Sequence, residues 1–132
     1  MSAAKINIAI QTHTAWLASF HAAVARRDSF DTSQLADDRA CAFGAWLHAS
    51  AAQLPGAGPY RDIQVIHRNF HRDAVAVAML ISRGVSTATI DRALALLNAR
   101  SARLIEALRD LRESHFVVPF VETSLNSHCP AA

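Results

Sequence analysis

Residues 60–83, YRDIQVIHRNFHRDAVAVAMLISR, form a long segment in which apolar side chains recur every three or four positions. This spacing places them on one face of an α-helix and predicts a helix over the whole stretch. Residues 55–59, PGAGP, mark a break before it, and Gly84 suits the position just after its C-terminal end. The inward positions are Ile63, His67, Phe70, Ala74, Val77 and Ile81.

Three further helices are predicted on either side of this segment. The first lies near the start of the chain, and the last follows Ser86 or Thr87, either of which can cap it. A shorter helix is predicted over about residues 35–53, after the polar and turn-like residues 28–34. The periodicity predicts an all-α fold, an antiparallel four-helix bundle. Its other inward positions are Ile6, Ile10, His13, Leu17, Phe20 and Val24 in the first helix, and Ile90, Leu94, Leu97, Ser101, Leu104, Leu108 and Leu111 in the last.

The composition limits the class of protein. Hydrophobic residues make up 52% and charged residues 18% of 132 residues, which fits one globular domain and argues against disorder. The net charge is +2 and the basic residues are spread along the chain, so we expect no nucleic-acid partner. No apolar run reaches the ~18 residues of a membrane helix. With no signal peptide and two cysteines, we expect a soluble cytoplasmic protein that has no membrane association.

Residues 1–114 are predicted to form the helical domain and residues 115–132 a C-terminal tail. The tail begins with an apolar run that Pro119 interrupts, and it ends in polar residues. It could dock on the bundle or on a partner.

Four residues are candidates for a metal site. His13 and His67 stand at inward positions of two helices, and His71 follows His67 by one turn. A buried imidazole without hydrogen-bond partners costs about 1–3 kcal/mol, and a metal supplies one partner. A single such histidine is more often a core residue bonded to a carbonyl, but the joint pattern favours a metal. Cys41 would add a thiolate, and one sulfur with three nitrogens suits tetrahedral Zn²⁺.

The segment CAFGAWLH, which begins at Cys41, carries a glycine one turn later, at Gly44. Glycine costs roughly 1 kcal/mol relative to alanine inside a helix, so we expect a neighbouring helix or the metal site to approach Gly44 closely. A local kink is the alternative. Phe43, Trp46 and Leu47 would then cover the site.

Other histidines are weaker candidates. His48 lies seven residues after Cys41 and His21 eight after His13, so both are alternative ligands. His115 and His128 lie in the tail and are poorer candidates still. Cys129, also in the tail, is predicted to be a free, exposed thiol.

An enzyme is not expected. Arg68 follows His67 at the position where an HExxH metalloprotease carries its catalytic glutamate. A hydrolase or lyase would also need an open coordination position and a placed acid or base. Haem bound by two helix histidines is a further alternative, but it leaves the cysteine segment without a role.

The chain resembles the CZB domain, the chemoreceptor zinc-binding domain of bacterial chemoreceptors and diguanylate cyclases. The resemblance covers about residues 5–112, and the cysteine motif is its most specific part. It implies a four-helix bundle with a short extra helical segment, and Zn²⁺ held by one cysteine and three histidines. The matching motifs are His13-x-x-Trp16-Leu17, Cys41-x-Phe43-Gly44-x-Trp46-Leu47 and His67-x-x-x-His71, which place the ligands at His13, Cys41, His67 and His71.

The resemblance also implies a cytoplasmic sensor, commonly a dimer, that acts in chemotaxis or related signal transduction. Such domains respond to zinc or to oxidants such as hypochlorous acid, and their partner is a chemoreceptor or a diguanylate cyclase. The 132 residues contain no such output module, so the chain is expected to be either a stand-alone member or an excised domain, and its polar start and tail favour the first. We expect oxidation of Cys41 to loosen about residues 35–55. The alternative is a zinc site that only stabilises an interaction or scaffold protein.

Overall fold

The computed structural model describes residues 3–53 and 58–124. Within these ranges the chain is helical and has no strands, which confirms the predicted all-α class. Residues 54–57, which hold most of the predicted break, lie outside the described residues. The helices are α1 (Ala3–Ala25), α2 (Thr32–Ala36), α3 (Ala42–Gln53), α4 (Gly58–Ser82) and α5 (Thr87–Ser124).

The prediction of one helix over residues 35–53 is wrong, because that stretch is divided between α2 and α3. The carboxylate of Asp31 caps α2 by accepting from the backbone N–H groups of Ser33 and Gln34, at 3.1 and 3.3 Å. The helix ends at Asp37, whose backbone is extended and whose carboxylate accepts from the N–H of Arg39 at 3.0 Å. The carboxylates of these aspartates thus accept hydrogen bonds from backbone N–H groups, and these bonds compete with those of a continuous helix.

The end of α4 and the start of α5 follow the predicted pattern. Gly84 adopts the left-handed φ of +69° just after α4, as a C′ glycine does. Ser86 caps α5, since its Oγ accepts from the N–H of Thr89 at 3.3 Å. The helix α5 continues to Ser124, beyond the predicted boundary after residue 114, and the division into domain and tail stays a prediction. No helix in the described ranges is long and apolar enough to cross a membrane.

The predicted inward positions of α1, α4 and α5 are buried or half-buried, and the apolar ones belong to two clusters. One cluster contains Ile6, Phe43, Leu47, Ile63 and Leu104, and the other contains Phe20, Phe70, Val77, Ile90 and Leu97. Buried polar residues lie between the two along each of these helices. His13 lies between Ala9 and Phe20, His67 between Ile63 and Phe70, and Ser101 between Leu97 and Leu104.

His13, His67 and Ser101 thus form a polar level between the two apolar clusters, and packing between the helices holds it in place. The helix α5 packs against α1 and α4, whereas α3 packs against α4 and α1, and α2 packs against α4. At one end, Arg112 of α5 donates to the side-chain oxygen of Asn7 in α1 at 2.7 Å. The ion pair of Arg100 and Asp73 joins α5 to α4.

Candidate metal centre

Cys41, His67 and His71 bring one sulfur and two nitrogens to a common point. The Sγ atom of Cys41 lies 3.4 Å from Nε2 of His67 and 3.5 Å from Nε2 of His71, and the two Nε2 atoms are 3.1 Å apart. Bond lengths of about 2.3 Å to sulfur and about 2.0–2.1 Å to nitrogen put tetrahedral zinc ligands about 3.3–3.6 Å apart. The three atoms therefore have the chemistry and the spacing that fit Zn²⁺.

The two histidines come from one face of α4. Their i,i+4 spacing brings both rings to the same side of the helix, where both side chains are buried. Nδ1 of His71 donates to the backbone carbonyl of Leu35 in α2 at 2.8 Å. Because Nδ1 carries the proton, Nε2 of His71 offers its lone pair towards Cys41. Nδ1 of His67 is buried and has no hydrogen-bond partner among the described residues.

Cys41 directly precedes α3, whereas the sequence placed it inside a helix. Its Sγ accepts from the N–H of Gly44 at 3.2 Å, as the side chain of an N-cap residue does, and it lies 3.6 Å from the carbonyl oxygen of Asp38. Burial raises the pKa of the Cys41 thiol and outweighs the opposing effect of the helix N–H groups. The sulfur is therefore a thiol in the metal-free protein and would lose its proton to a metal.

Gly44 is the close-approach position that the sequence predicted. A β-carbon there would collide with the backbone carbonyl of Asp38, and it would lie 3.0 Å from Cε1 of His67. The missing side chain therefore lets the turn before Cys41 and the ring of His67 come together. This close contact explains why residue 44 is a glycine, so a local kink is not needed to account for it.

All three buried histidines are neutral near pH 7. Burial, reinforced by the neighbouring His71, lowers the pKa of His13 to about 4 and that of His67 to about 3. Burial also lowers the pKa of His71. A neutral imidazole keeps the lone pair that a metal requires, so these histidines need lose no proton to bind one.

His13 is buried at the same level of the fold but is not part of the three-residue cluster. Its Nε2 lies 2.9 Å from Oγ of Ser101 in α5, and its ring packs 4.7 Å from the ring of Phe70. All four predicted ligands, His13 included, line one cavity of about 630 Å³. The geometry thus brings three of them together and leaves the role of His13 as a proposal.

This cavity is lined by residues of α1, of the α2 region and of the segment around Cys41. Several aromatic rings line it, with Trp16 and Phe20 stacked at 5.2 Å between ring centroids and Phe30 at 5.1 Å from Phe20. Trp16 also lies 5.3 Å from the ring of His71. Phe43, one of the three residues predicted to cover the site, has its ring 4.7 Å from that of His67.

The alternative ligands have other partners. Nδ1 of His48 accepts from the side-chain amide of Gln64 at 3.3 Å, and its Nε2 lies 3.4 Å from the carboxylate of Asp38. His21 bonds to Asn98 at 2.8 Å. The side chain of His115, and the whole of His128 and Cys129, lie outside the described residues.

Sequence reasoning missed two groups that hydrogen-bond to the candidate-ligand histidines His13 and His71. Ser101 was visible as the one polar residue in the inward stripe of the last helix, but its partner is 88 positions away in the chain. The carbonyl of Leu35 has no sequence signature, because every residue carries one.

A comparison with protein families agrees with this geometry. The family model described as the chemoreceptor zinc-binding domain matches residues 13–78, which is half of the 132-residue chain. The matched region begins at His13 and includes Cys41, His67 and His71. The chain has no significant match among curated proteins or solved structures.

Proposed function

The chain belongs to the chemoreceptor zinc-binding domain family, and we propose that it is a zinc-binding sensory domain whose ligands are His13, Cys41, His67 and His71. The observation that carries the proposal is the approach of Sγ of Cys41 and the two Nε2 atoms to within 3.1–3.5 Å of one another. His13 completes the set because it lies buried beside the cluster and lines the same cavity.

The proposed architecture is the antiparallel four-helix bundle of the family, formed by α1, α3, α4 and α5, with α2 as the short extra segment. Contacts between opposite ends of α1 and α5 support it: Asn7 bonds to Arg112, and His21 bonds to Asn98. The short turn through Gly84 reverses the chain between α4 and α5. Zinc, when bound, supplies a crosslink between the start of α3 and the middle of α4.

A sensory role is supported by the position of Cys41. The thiolate can be oxidised by hypochlorous acid to a sulfenic acid with release of chloride, and a sulfenic acid is a poor metal ligand. The segment before Cys41 contains α2, which has no buried residue, so its attachment depends strongly on contacts around the site. Removal of zinc or oxidation of Cys41 would release this segment while His67 and His71 stay fixed on α4.

Four protein ligands leave no open coordination position, and the protein acts as a regulator and not as an enzyme. We propose a cytoplasmic homodimer that passes the signal to a chemoreceptor or diguanylate cyclase type of partner, as domains of this family do. The same geometry also suits a zinc site that only stabilises the fold, because closed sites with four protein ligands are commonly structural.

Metal analysis of protein purified without added metal tests the zinc site. We expect one zinc per chain in the wild type and much less in Cys41→Ser and His71→Ala. His21→Ala and Cys129→Ser are matched controls that remove a histidine or a cysteine that is not among the four proposed ligands, and both should retain zinc. A wild type without stoichiometric zinc, or controls that lose zinc as the site variants do, would overturn the assignment.

A second measurement separates a sensor from a structural site. After chelation of zinc, circular dichroism of a sensor should show retained helix, with local changes detected by hydrogen exchange. A structural site predicts cooperative loss of helix on chelation.

A further inference from the structure

Ser101 lies buried in α5 at a position where the sequence otherwise supplies leucine. Its exposed fraction is 3%, and Leu97 and Leu104, one turn away on either side, are fully buried. A buried hydroxyl without a partner costs about 1–3 kcal/mol, so an apolar residue would be expected there. The hydroxyl is satisfied by His13, whose Nε2 lies 2.9 Å from Oγ.

This bond restricts which nitrogen of His13 can bind a metal. A neutral imidazole carries one proton, and a metal ligand must offer the lone pair of its other nitrogen. Because Ser101 engages Nε2, the nitrogen left for a metal is Nδ1. In His71 the arrangement is the opposite, since the carbonyl of Leu35 engages Nδ1 and leaves Nε2.

We propose that Ser101 is a positioning residue that fixes the Nε2–H tautomer of His13, so that His13 presents Nδ1 to zinc while His67 and His71 present Nε2. This inference rests on the proposed zinc-binding function. Ser101 also joins the centre to α5, the helix that packs against both α1 and α4. A movement of the His13 ring would therefore act on α5 directly, through the hydrogen bond to Ser101.

The level at which Ser101 lies supports a role beyond filling the core. His13, His67 and Ser101 form a polar level between the two apolar clusters, on α1, α4 and α5 respectively. A serine that only satisfied a core histidine could be replaced by alanine at a cost in folding stability alone. A positioning serine must also change the ligand properties of that histidine.

Long-range ¹H–¹⁵N correlation spectra of the full chain, with ¹⁵N-labelled histidine, test the inference directly. Metal-free protein should show His13 with its proton on Nε2. Zinc-loaded protein should show the metal-bound ¹⁵N shift on Nδ1 of His13 and on Nε2 of His67 and His71. A metal-bound shift on Nε2 of His13, or none on His13 while the other two shift, overturns the inference and leaves zinc binding intact. A wild type that binds no zinc overturns both proposals.

Substitution of Ser101 supplies a second test. We expect Ser101→Ala to raise the zinc dissociation constant about 10–100-fold, as loss of an outer partner does, and to give His13 mixed tautomers in the metal-free protein. Ser101→Thr retains the hydroxyl and should restore both properties, whereas Ser50→Ala, at a buried serine of α3, should change neither. An unchanged dissociation constant and tautomer in Ser101→Ala would show that the serine is only structural. If Ser101→Ala fails to fold, the wild-type spectra still decide the ligand atom.

Discussion

The backbone carbonyl of Asp38 occupies the space that a β-carbon on Gly44 would fill. This contact folds the turn before Cys41 back onto the first turn of α3. It places Sγ where Gly44 donates to it and where His67 and His71 can reach it. One glycine therefore determines where the cysteine stands relative to α4.

Gly44→Ala should destabilise the metal-free protein, although helix propensity alone predicts a gain of about 1 kcal/mol. The collision is with backbone, which cannot rotate away, so we expect a net loss of about 1–3 kcal/mol and weaker zinc binding. Urea unfolding at pH 7.5 measures the change. Ala45→Gly, at an exposed position of the same helix, is the matched control and should lose about 1 kcal/mol with zinc affinity retained. A more stable Gly44→Ala would contradict the close contact.

The sequence predicted those parts of the fold that have a periodic pattern of apolar residues. The buried stripes of α1, α4 and α5 follow from a period that needs no knowledge of the neighbouring helices. The division between α2 and α3 was not predicted, because Asp37 and Asp38 read equally well as the acidic first turn of a helix. Their competing hydrogen bonds become visible only in three dimensions, as with Asp37 and the N–H of Arg39.

The candidate site also has parts that the sequence predicted and parts that only the tertiary structure shows. The spacing of His67 and His71 predicted a shared face, and the position of Cys41 relative to both came from the motif. The partners that orient the histidines depend on tertiary contacts, and neither Leu35 nor Ser101 is close in sequence to the histidine it holds.

Zinc affinity should rise with pH by about tenfold per unit between pH 6 and pH 8. The raised pKa of Cys41 keeps its proton on sulfur in this range, so binding must displace one proton. His13 and His67, with pKa values of about 4 and about 3, are already neutral and displace none. Calorimetric titration in buffers of different ionisation enthalpy counts the protons.

We expect one proton released per zinc in the wild type and none in Cys41→Ser. Release of two or more would mean that a histidine is protonated in the metal-free protein. Release of none in the wild type would mean that Cys41 is already a thiolate in the metal-free protein or that it is not a ligand, and zinc binding by Cys41→Ser separates the two.

The metal-free protein should lose stability as the pH falls below about 6.5. Histidine in the unfolded chain has a pKa of about 6.5, whereas burial lowers the pKa of His13 to about 4 in the fold. Between these values the unfolded chain binds more protons, so the free energy of unfolding is highest above about pH 6.5 and falls towards pH 4. His67 adds to the effect, since its pKa is about 3.

Urea unfolding at pH 7.5, 6.0 and 5.0 measures this dependence. We expect the free energy of unfolding to decrease by a few kcal/mol across the series, with a lower urea midpoint at each step. His13→Gln should reduce the pH dependence of stability. His21→Gln, which changes a histidine outside the buried group of His13, His67 and His71, should not. A constant midpoint would mean that the buried histidines ionise as readily in the fold as in the unfolded chain.

Loss of the cysteine ligand should loosen the segment that precedes α3 and leave α3 in place. The helix α2 has no buried residue, and this segment is attached by the partly buried Phe30 and Leu35. By contrast, α3 is anchored by Phe43 and Leu47, which are 2% and 0% exposed. The structure thus narrows the expected region from about residues 35–55 to about residues 30–41.

Hydrogen exchange by mass spectrometry tests this, with zinc-loaded Cys129→Ser protein treated with sub-stoichiometric hypochlorous acid so that Cys41 is the reacting cysteine. Amides of residues 31–41 should exchange at least about tenfold faster, which corresponds to about 1.4 kcal/mol, while those of α4 and α5 keep their protection. Cys41→Ser should show the faster exchange without oxidant and respond no further. If α3, α4 and α5 lose protection together, zinc stabilises the whole fold, and a purely structural site describes the protein better than a sensor.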